Sequence, residues 1–298
     1  MASKSAESQV QFRPSHELFP FENRWFESSV GLVHYVDEGS GPPILFLHGN
    51  PTWSFVYRNI IVGVRHSFRC IAPDYPGFGL SVRPEKYGYT PQEQARIVAE
   101  LVDHLGLDQM IVMGQDWGGP IACAVASRDP DRVRGVVMAN TSMLMSDRLP
   151  NRIFSTMMSS RLMQRQILER NFFVDKMIPL ATSRKLTEEE MDHYRKVQPS
   201  PDMRVGVAEL PRQLRLARDW LESVRTRVEQ TLREKEALFV WGAKDIAFPP
   251  RVYLPKWQAA FPNSVTVLIP DAGHFVQEDA PEKVVRSISD RFSAGEEL

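Results

Sequence analysis

Residues 108–129 read DQMIVMGQDWGGPIACAVASRD. An apolar run, Met110–Gly114, enters Gly114-Gln115-Asp116-Trp117-Gly118-Gly119, and a stretch of small helix-forming residues leaves it. An acidic residue between close glycines, strand before and helix after, predicts a sharp turn that lifts the Asp116 side chain clear of a sheet edge. Glycine is needed where neighbouring backbones crowd such a turn. Pro120 suits the first turn of the helix, where its missing N–H costs nothing. A carboxylate presented this way can displace a leaving group from saturated carbon and form an ester with the enzyme, whereas a serine would attack carbonyls. The helix N-terminus favours its ionised form. The plainer alternative is an Asp that only caps the helix.

Short β-type runs alternate with amphipathic stretches on both sides of this turn. Strands are predicted at Trp25–Ser29, Leu32–Asp37, Pro43–Leu47, Phe68–Pro73, Met110–Gly114, Gly135–Ala139, Ala237–Trp241 and Val265–Ile269. The fourth to seventh are nearly continuous apolar runs, as expected of parallel strands covered on both faces. Helices are predicted at Trp53–Val64, Pro91–Leu105, Trp117–Ser127, Arg251–Phe261 and Pro281–Phe292. This alternation implies an α/β fold with a mostly parallel, eight-stranded sheet flanked by helices. Residues 141–211 break the rhythm. They are rich in Met, Arg and Leu, with helical spacing and no clear strand. We expect them to form a helical cap over the carboxyl edge of the sheet, where ligands bind in open α/β sheets. The expected division is residues 1–140 and 212–298 as one core, with 141–211 as the cap. Phe154, Met157, Met158, Leu162 and Phe173 are candidates for an apolar lining, although such spacing more often marks ordinary core.

A strand–nucleophile–helix turn in such a sheet is the arrangement of the α/β-hydrolase fold, whose catalytic residues follow in the order nucleophile, acid, histidine. His274, in PDAGHFVQED after the last strand, is the candidate base. His16, His34, His66, His104 and His193 lie near the N-terminus or on polar segments, and His48 belongs to the loop after the third strand. Asp245, after ALFVWG, is the candidate acid. The end of the sixth strand offers only Asn140, and Asp147 is farther along. The plainer alternative for Asp245 is a helix cap before Pro249-Pro250, and a catalytic acid and a cap could share this position. The loop His48-Gly49-Asn50-Pro51 should lend the Asn50 backbone N–H to an oxyanion hole, with Trp117 N–H as the second donor. The side chains of Asn50 and Trp117 would then stand beside the nucleophile. Both offer neutral N–H groups, suited to holding a departing halide.

Composition narrows the class without naming a reaction. The 298 residues carry a net charge of −1 with no basic block or acidic tail, which argues against a nucleic-acid partner. Cys70 and Cys123 are too few for a disulfide framework, and both sit in apolar runs. The polar N-terminus lacks the apolar core of a secretion signal, and no run is long enough for a membrane span. A cytoplasmic protein without membrane contact is the expectation.

Three segments, HGNPTWSFVYRNII, QDWGGPIA and DAGHFVQED, resemble the haloalkane dehalogenases. The likeness extends to RCIAPDYPGFGLSVRP and VAELPRQ, so it runs along essentially the whole chain. Asp245 with Asn50 and Trp117 resembles the third subfamily; no tryptophan lies between Thr141 and Pro211 to serve in place of Asn50. Gln115 stands where many members have histidine. The resemblance implies hydrolysis of small halogenated aliphatic compounds to alcohol, halide and a proton, without metal or organic cofactor. It is also compatible with a homo-oligomer. The rival readings are an epoxide hydrolase with the same Asp nucleophile, a haloacetate dehalogenase, a cofactor-free oxygenase, and an inactive hydrolase fold that only binds ligands. An epoxide hydrolase needs cap tyrosines, and Tyr194 is the only tyrosine in 141–211. A haloacetate dehalogenase should carry arginines by the nucleophile, where Trp117 takes the first such place.

Overall fold

Strands form where the sequence is most continuously apolar, and the longest such runs make the centre of the sheet. A computed structural model of the chain describes residues 12–143 and 149–293. Its strands are β1 (Arg24–Ser28), β2 (Gly31–Glu38), β3 (Pro43–Leu47), β4 (Arg69–Pro73), β5 (Met110–Gln115), β6 (Val133–Ala139), β7 (Glu236–Gly242) and β8 (Val265–Ile269). They make one eight-stranded sheet in the order β1-β2-β4-β3-β5-β6-β7-β8. Only β2 runs antiparallel to its neighbours, β1 and β4. All eight predicted strands are present, with ends shifted by no more than two residues.

Alternate residues of the central strands face opposite layers, as the two-residue period of a strand demands. Leu45, Leu47, Val112 and Val136 pack in one apolar layer with helices α2 (Pro91–His104) and α3 (Gly118–Arg128). Ile44, Phe46, Ile111, Met113 and Val137 pack in the other with α1 (Arg58–Val64). The predicted helix Trp53–Val64 is a 3₁₀ turn, Ser54–Tyr57, running into α1. Thr90 begins α2 with a reciprocal capping box to Glu93, an arrangement that satisfies two otherwise orphaned N–H groups.

Between β6 and β7 the regular structure of the described chain is all helical: α4 (Leu149–Met158), α5 (Arg161–Arg170), a π turn Phe173–Met177, α6 (Ile178–Ala181), α7 (Glu188–Lys196), a 3₁₀ turn Pro201–Arg204, α8 (Val205–Leu216) and α9 (Arg218–Thr231). Residue 211, the expected end of the cap, lies inside α8, which continues through Pro211. α9 then packs on α3. After β7 come α10 (Pro250–Ala260), α11 (Val276–Asp279) and α12 (Pro281–Phe292). Among the described residues no helix is long and apolar enough to cross a membrane.

A buried ionic cluster ties this helical layer to the core. Arg58 of α1 meets Glu278 of α11 at 2.5 Å and Glu190 of α7 at 2.8 Å, and Arg184 bridges the same two acids. Removing one partner would strand a buried charge, which typically costs about 3–5 kcal/mol.

Candidate active site

The register of the central strands brings the important loops to one edge. Leu47 pairs with Gly114, Gln115 with Ala139, and Ala139 with Val240. The segments that follow β3, β5, β6 and β7 therefore leave the sheet side by side. At the end of β5 the chain turns through Asp116, whose φ is +53°. An L-residue adopts that conformation only when its surroundings hold it there. Here Asp116 N–H donates to Asn140 O at 3.2 Å, and Thr141 Oγ1 donates to Asp116 O at 2.6 Å. A Cβ on Gly118 would lie 1.9 Å from Leu47 O, and one on Gly49 would lie 2.4 Å from Asp116 Cβ. Close approach explains both glycines. Helix α3 starts from Trp117 as its N-cap, with no side-chain capping bond from that residue. Asn50 N–H donates to Asp116 Oδ1 at 2.8 Å, and Trp117 N–H also donates to the carboxylate.

His274 comes to the same place from the loop between β8 and α11. Its backbone N–H donates to Ala181 O at 2.8 Å, and Gly273 N–H beside it donates to Asp279 Oδ2 at 2.7 Å. The imidazole Nε2 lies 3.7 Å from Asp116 Oδ2, and Nδ1 lies 3.0 Å from Asp245 Oδ2. Phe248 stacks on the ring, and Phe275 meets it edge-on. Asp245 is buried and fully engaged. Its Oδ2 also accepts from Asn140 Nδ2 at 2.7 Å, and its Oδ1 accepts from the N–H groups of Ala247 and Phe248 at 2.7 and 3.1 Å. The two sequence readings of Asp245, partner of histidine and turn cap, thus coexist, one on each oxygen.

The Asn50 side chain is buried and reaches the helical layer, donating from Nδ2 to Val207 O at 3.2 Å. That carbonyl is free because its usual partner four residues on is Pro211, which has no N–H. Only one of the two amide hydrogens can lie on this bond. The other remains for a ligand. Among the described residues nothing accepts from the Trp117 indole N–H. Trp117 belongs to an apolar cluster that includes Met158, Phe173, Val207 and Leu210.

The electrostatics follow from burial and these partners. Burial pushes the Asp116 carboxyl above its ordinary value; His274 and the N–H groups of Asn50 and Trp117 recover only part of the shift. Burial also works against charge on Asp245, but His274 and the Asn140 amide outweigh it and hold this carboxyl below the usual value. For His274 burial opposes protonation, yet Asp245, then Asp116, lift its basicity above that of a free imidazole.

The structure brings Asp116, Asp245, His274, Asn50 and Trp117 together. Other sequence candidates go elsewhere. Met158 and Phe173 are buried and Phe154 is partly buried, but Leu162 is 68% exposed and Met157 47%, so neither is enclosed as the helical spacing suggested. Spacing alone cannot tell the inner face of a helix from a face left to solvent. Tyr194 is buried with its hydroxyl committed to Glu278 Oε1 at 2.5 Å. Asp147 lies outside the described residues. The sequence did not reveal a second buried pair, His34 Nδ1 to Asp74 Oδ2 at 2.8 Å. Asp74 also accepts from the N–H groups of Ser54 and Leu80, which pins the loops after β3 and β4 and so supports Asn50. Asn140, set aside because it carries no charge, is the group that orients Asp245; its Oδ1 is itself fixed by Gly242 N–H at 2.9 Å.

The chain is similar to known proteins along almost its whole length. Residues 42–281 match the family model described as alpha/beta hydrolase fold. Haloalkane dehalogenase 2 of Mycobacterium tuberculosis is 53% identical over 283 residues, covering 95% of this chain and 99% of the relative. The crystal structure of haloalkane dehalogenase DbeA from Bradyrhizobium elkani superposes with a TM-score of 0.83 at 27% identity, covering 91% of this chain and 97% of that one. A more distant relative, cis-3-alkyl-4-alkyloxetan-2-one decarboxylase of Shewanella oneidensis, is 28% identical over 94% of this chain and 91% of its own length. With that sheet, that turn and a full-length relative at this identity, the chain belongs to the haloalkane dehalogenase family of the α/β-hydrolase fold.

Proposed function

We propose that this protein hydrolyses small haloalkanes to an alcohol, a halide ion and a proton through an ester on Asp116. The observation that carries the reading is the division of labour on one carboxylate. Asn50 N–H holds Oδ1, while Oδ2 faces His274. In the first step Oδ2 attacks the sp³ carbon, a C–O bond forms, and the carbon–halogen electron pair leaves with the halide. The free N–H of the Asn50 amide and the Trp117 indole N–H receive that ion, stabilising negative charge without neutralising the nucleophile. In the second step His274 Nε2 takes a proton from water, and the hydroxide oxygen adds to Asp116 Cγ. Charge builds on Oδ1, which Asn50 N–H already holds, with Trp117 N–H as a second donor to the carboxylate. Collapse breaks the ester C–O bond, the departing alkoxide takes the proton from the His274 imidazolium to leave as alcohol, and the second proton of the water, left on the Asp116 carboxyl, is released to solvent. Asp245 stabilises the imidazolium in between and fixes the tautomer. The reaction so written requires neither metal nor organic cofactor.

The helices between β6 and β7 serve in this reading as a cap, with Met158, Phe173 and Val207 supplying an apolar wall. A cytoplasmic location fits the two free, buried thiols Cys70 and Cys123. Epoxide hydrolysis fits less well, because the Tyr194 hydroxyl is tied to Glu278 and is not free to protonate an epoxide oxygen. The test is His274→Phe with a bromoalkane. One bromide should be released per protein, with a stable alkyl adduct on Asp116 seen by intact-protein and peptide mass spectrometry. An unmodified Asp116 after prolonged incubation would overturn the ester route.

A further inference from the structure

The catalytic nitrogen of His274 has a closer polar neighbour than the Asp116 carboxylate, which lies 3.7 Å away. Gln115, the last residue of β5, is fully buried, and its amide Nε2 lies 2.9 Å from His274 Nε2. The same amide nitrogen lies 3.2 Å from His274 O. A carbonyl oxygen can only accept, so the group facing it is the amide N–H₂. Its two hydrogens point to the carbonyl of His274 and to the Nε2 lone pair. Gln115 Oε1 is buried and has no partner among the described residues.

This arrangement demands a neutral imidazole protonated on Nδ1, the tautomer that donates to Asp245. Gln115 and Asp245 therefore agree on the tautomer. They disagree on the charge, because Asp245 stabilises the imidazolium and a donor on Nε2 opposes it. Asp116 faces the same nitrogen and favours protonation with Asp245. The acids that follow His274 are engaged elsewhere. Glu278 is held by Arg58, Arg184 and Tyr194, and Asp279 by the N–H groups of Gly273, Ser183 and Arg184.

Resting on the reading of His274 as the base, we infer that Gln115 is a positioning residue: it keeps His274 neutral until the ester has formed, and turns its amide over when the imidazole takes a proton from water. A proton on His274 before alkylation would pair with Asp116 and blunt the nucleophile. After water attack, Nε2–H would face the Gln115 N–H₂, donor against donor. Rotating the amide puts the unpartnered Oε1 against Nε2–H, at the cost of the bond to the His274 carbonyl. Gln115 thus sets the pH at which ester hydrolysis begins.

Gln115→Met keeps the length of the side chain and removes the donor. Single-turnover kinetics with a bromoalkane should show the acid limb of ester hydrolysis moved up by about one pH unit, the weight of one hydrogen bond. The plateau at high pH should also fall, because methionine offers no oxygen to the imidazolium Nε2–H, and hydrolysis one unit below the wild-type limb should be slower by at least about tenfold. An unmoved limb, or a lower plateau with the limb in place, overturns the inference and leaves Gln115 as packing. Nitrogen-15 imidazole NMR of the wild-type resting enzyme tests it without turnover or mutation, should the variant fail to fold. The expected signal is Nδ1–H with an accepting Nε2, and a proton on Nε2 refutes the claim. The base reading fails separately, if the wild-type hydrolysis limb does not track His274's own titration.

Discussion

Asp245→Asn tests the site most severely, because it removes one charge and almost no volume. Oδ1 of Asp245 accepts from Ala247 and Phe248 N–H, so the new amide must keep its oxygen there. Its N–H₂ then falls where Oδ2 was, facing Asn140 Nδ2 at 2.7 Å and His274 Nδ1 at 3.0 Å. Donor meets donor twice. Asn140 cannot turn over to relieve this, since its Oδ1 is held by Gly242 N–H. The remaining escape is for His274 to move its proton to Nε2 and accept on Nδ1. An imidazole in that tautomer cannot take a proton from water. The equivalent exchange in a serine protease triad costs about 10⁴-fold, or about 5.5 kcal/mol of barrier. We expect a loss of that order in ester hydrolysis alone. Alkylation, which needs no base, should stay within a few-fold of wild type. Rapid-quench measurement of halide and alcohol in one turnover separates the steps: a full halide burst should precede a very slow appearance of alcohol. Alcohol formed within tenfold of the wild-type rate would refute the reasoning and reduce Asp245 to a turn cap. Equal loss of the halide burst would refute it too, by showing that Asp245 acts before the base is needed.

Other perturbations probe the remaining parts. Trp117→Phe removes an unpartnered N–H from an apolar site and should slow halide displacement by roughly a hundred- to a thousandfold, as for an oxyanion donor, with less effect on ester hydrolysis; unchanged chloroalkane turnover would dismiss the indole from the role. Pro211→Ala supplies an N–H that competes for Val207 O and loosens Asn50, so displacement should fall about two- to tenfold, the weight of one hydrogen bond, while purified alkyl-enzyme hydrolyses normally; stopped-flow halide release would show it. The pH profile should carry two acid limbs. Asp116 must be ionised and its pKa is raised by burial, so alkylation declines as pH falls toward a value above a free aspartate's 3.8. Hydrolysis needs neutral His274, whose pKa is raised chiefly by Asp245 against the effect of burial, so it declines first, above 6.5. Between the two limbs alkyl-enzyme should accumulate in the wild type, and its absence from acid-quenched samples would contradict the assignment.

Local chemistry made most of the fold and the central residues readable from sequence. The glycine-flanked turn at Asp116 is dictated by backbone crowding within a few residues, and the eight strands by uninterrupted apolar runs, so both survive in a one-dimensional reading. Asp245 and His274 could be expected to meet because each lies in a loop that follows a strand, and the carboxyl ends of those strands share one sheet edge; the structure brings them within 3.0 Å. Tertiary structure alone decided what touches what. Gln115 looked like a variable neighbour of the nucleophile until β5 packed beside the His274 loop, 159 residues away in sequence. Asn140 was passed over for want of charge, yet its amide orients Asp245 across 105 residues. Pro211 read as the end of a cap, but it lies within a helix and frees a carbonyl for Asn50. Leu162 and Met157 shared the spacing of lining residues, and packing left both exposed. Periodicity records which residues share a face of an element. Which face meets a partner, and which hydrogen-bonding group it finds there, depends on contacts between distant segments that no local pattern encodes.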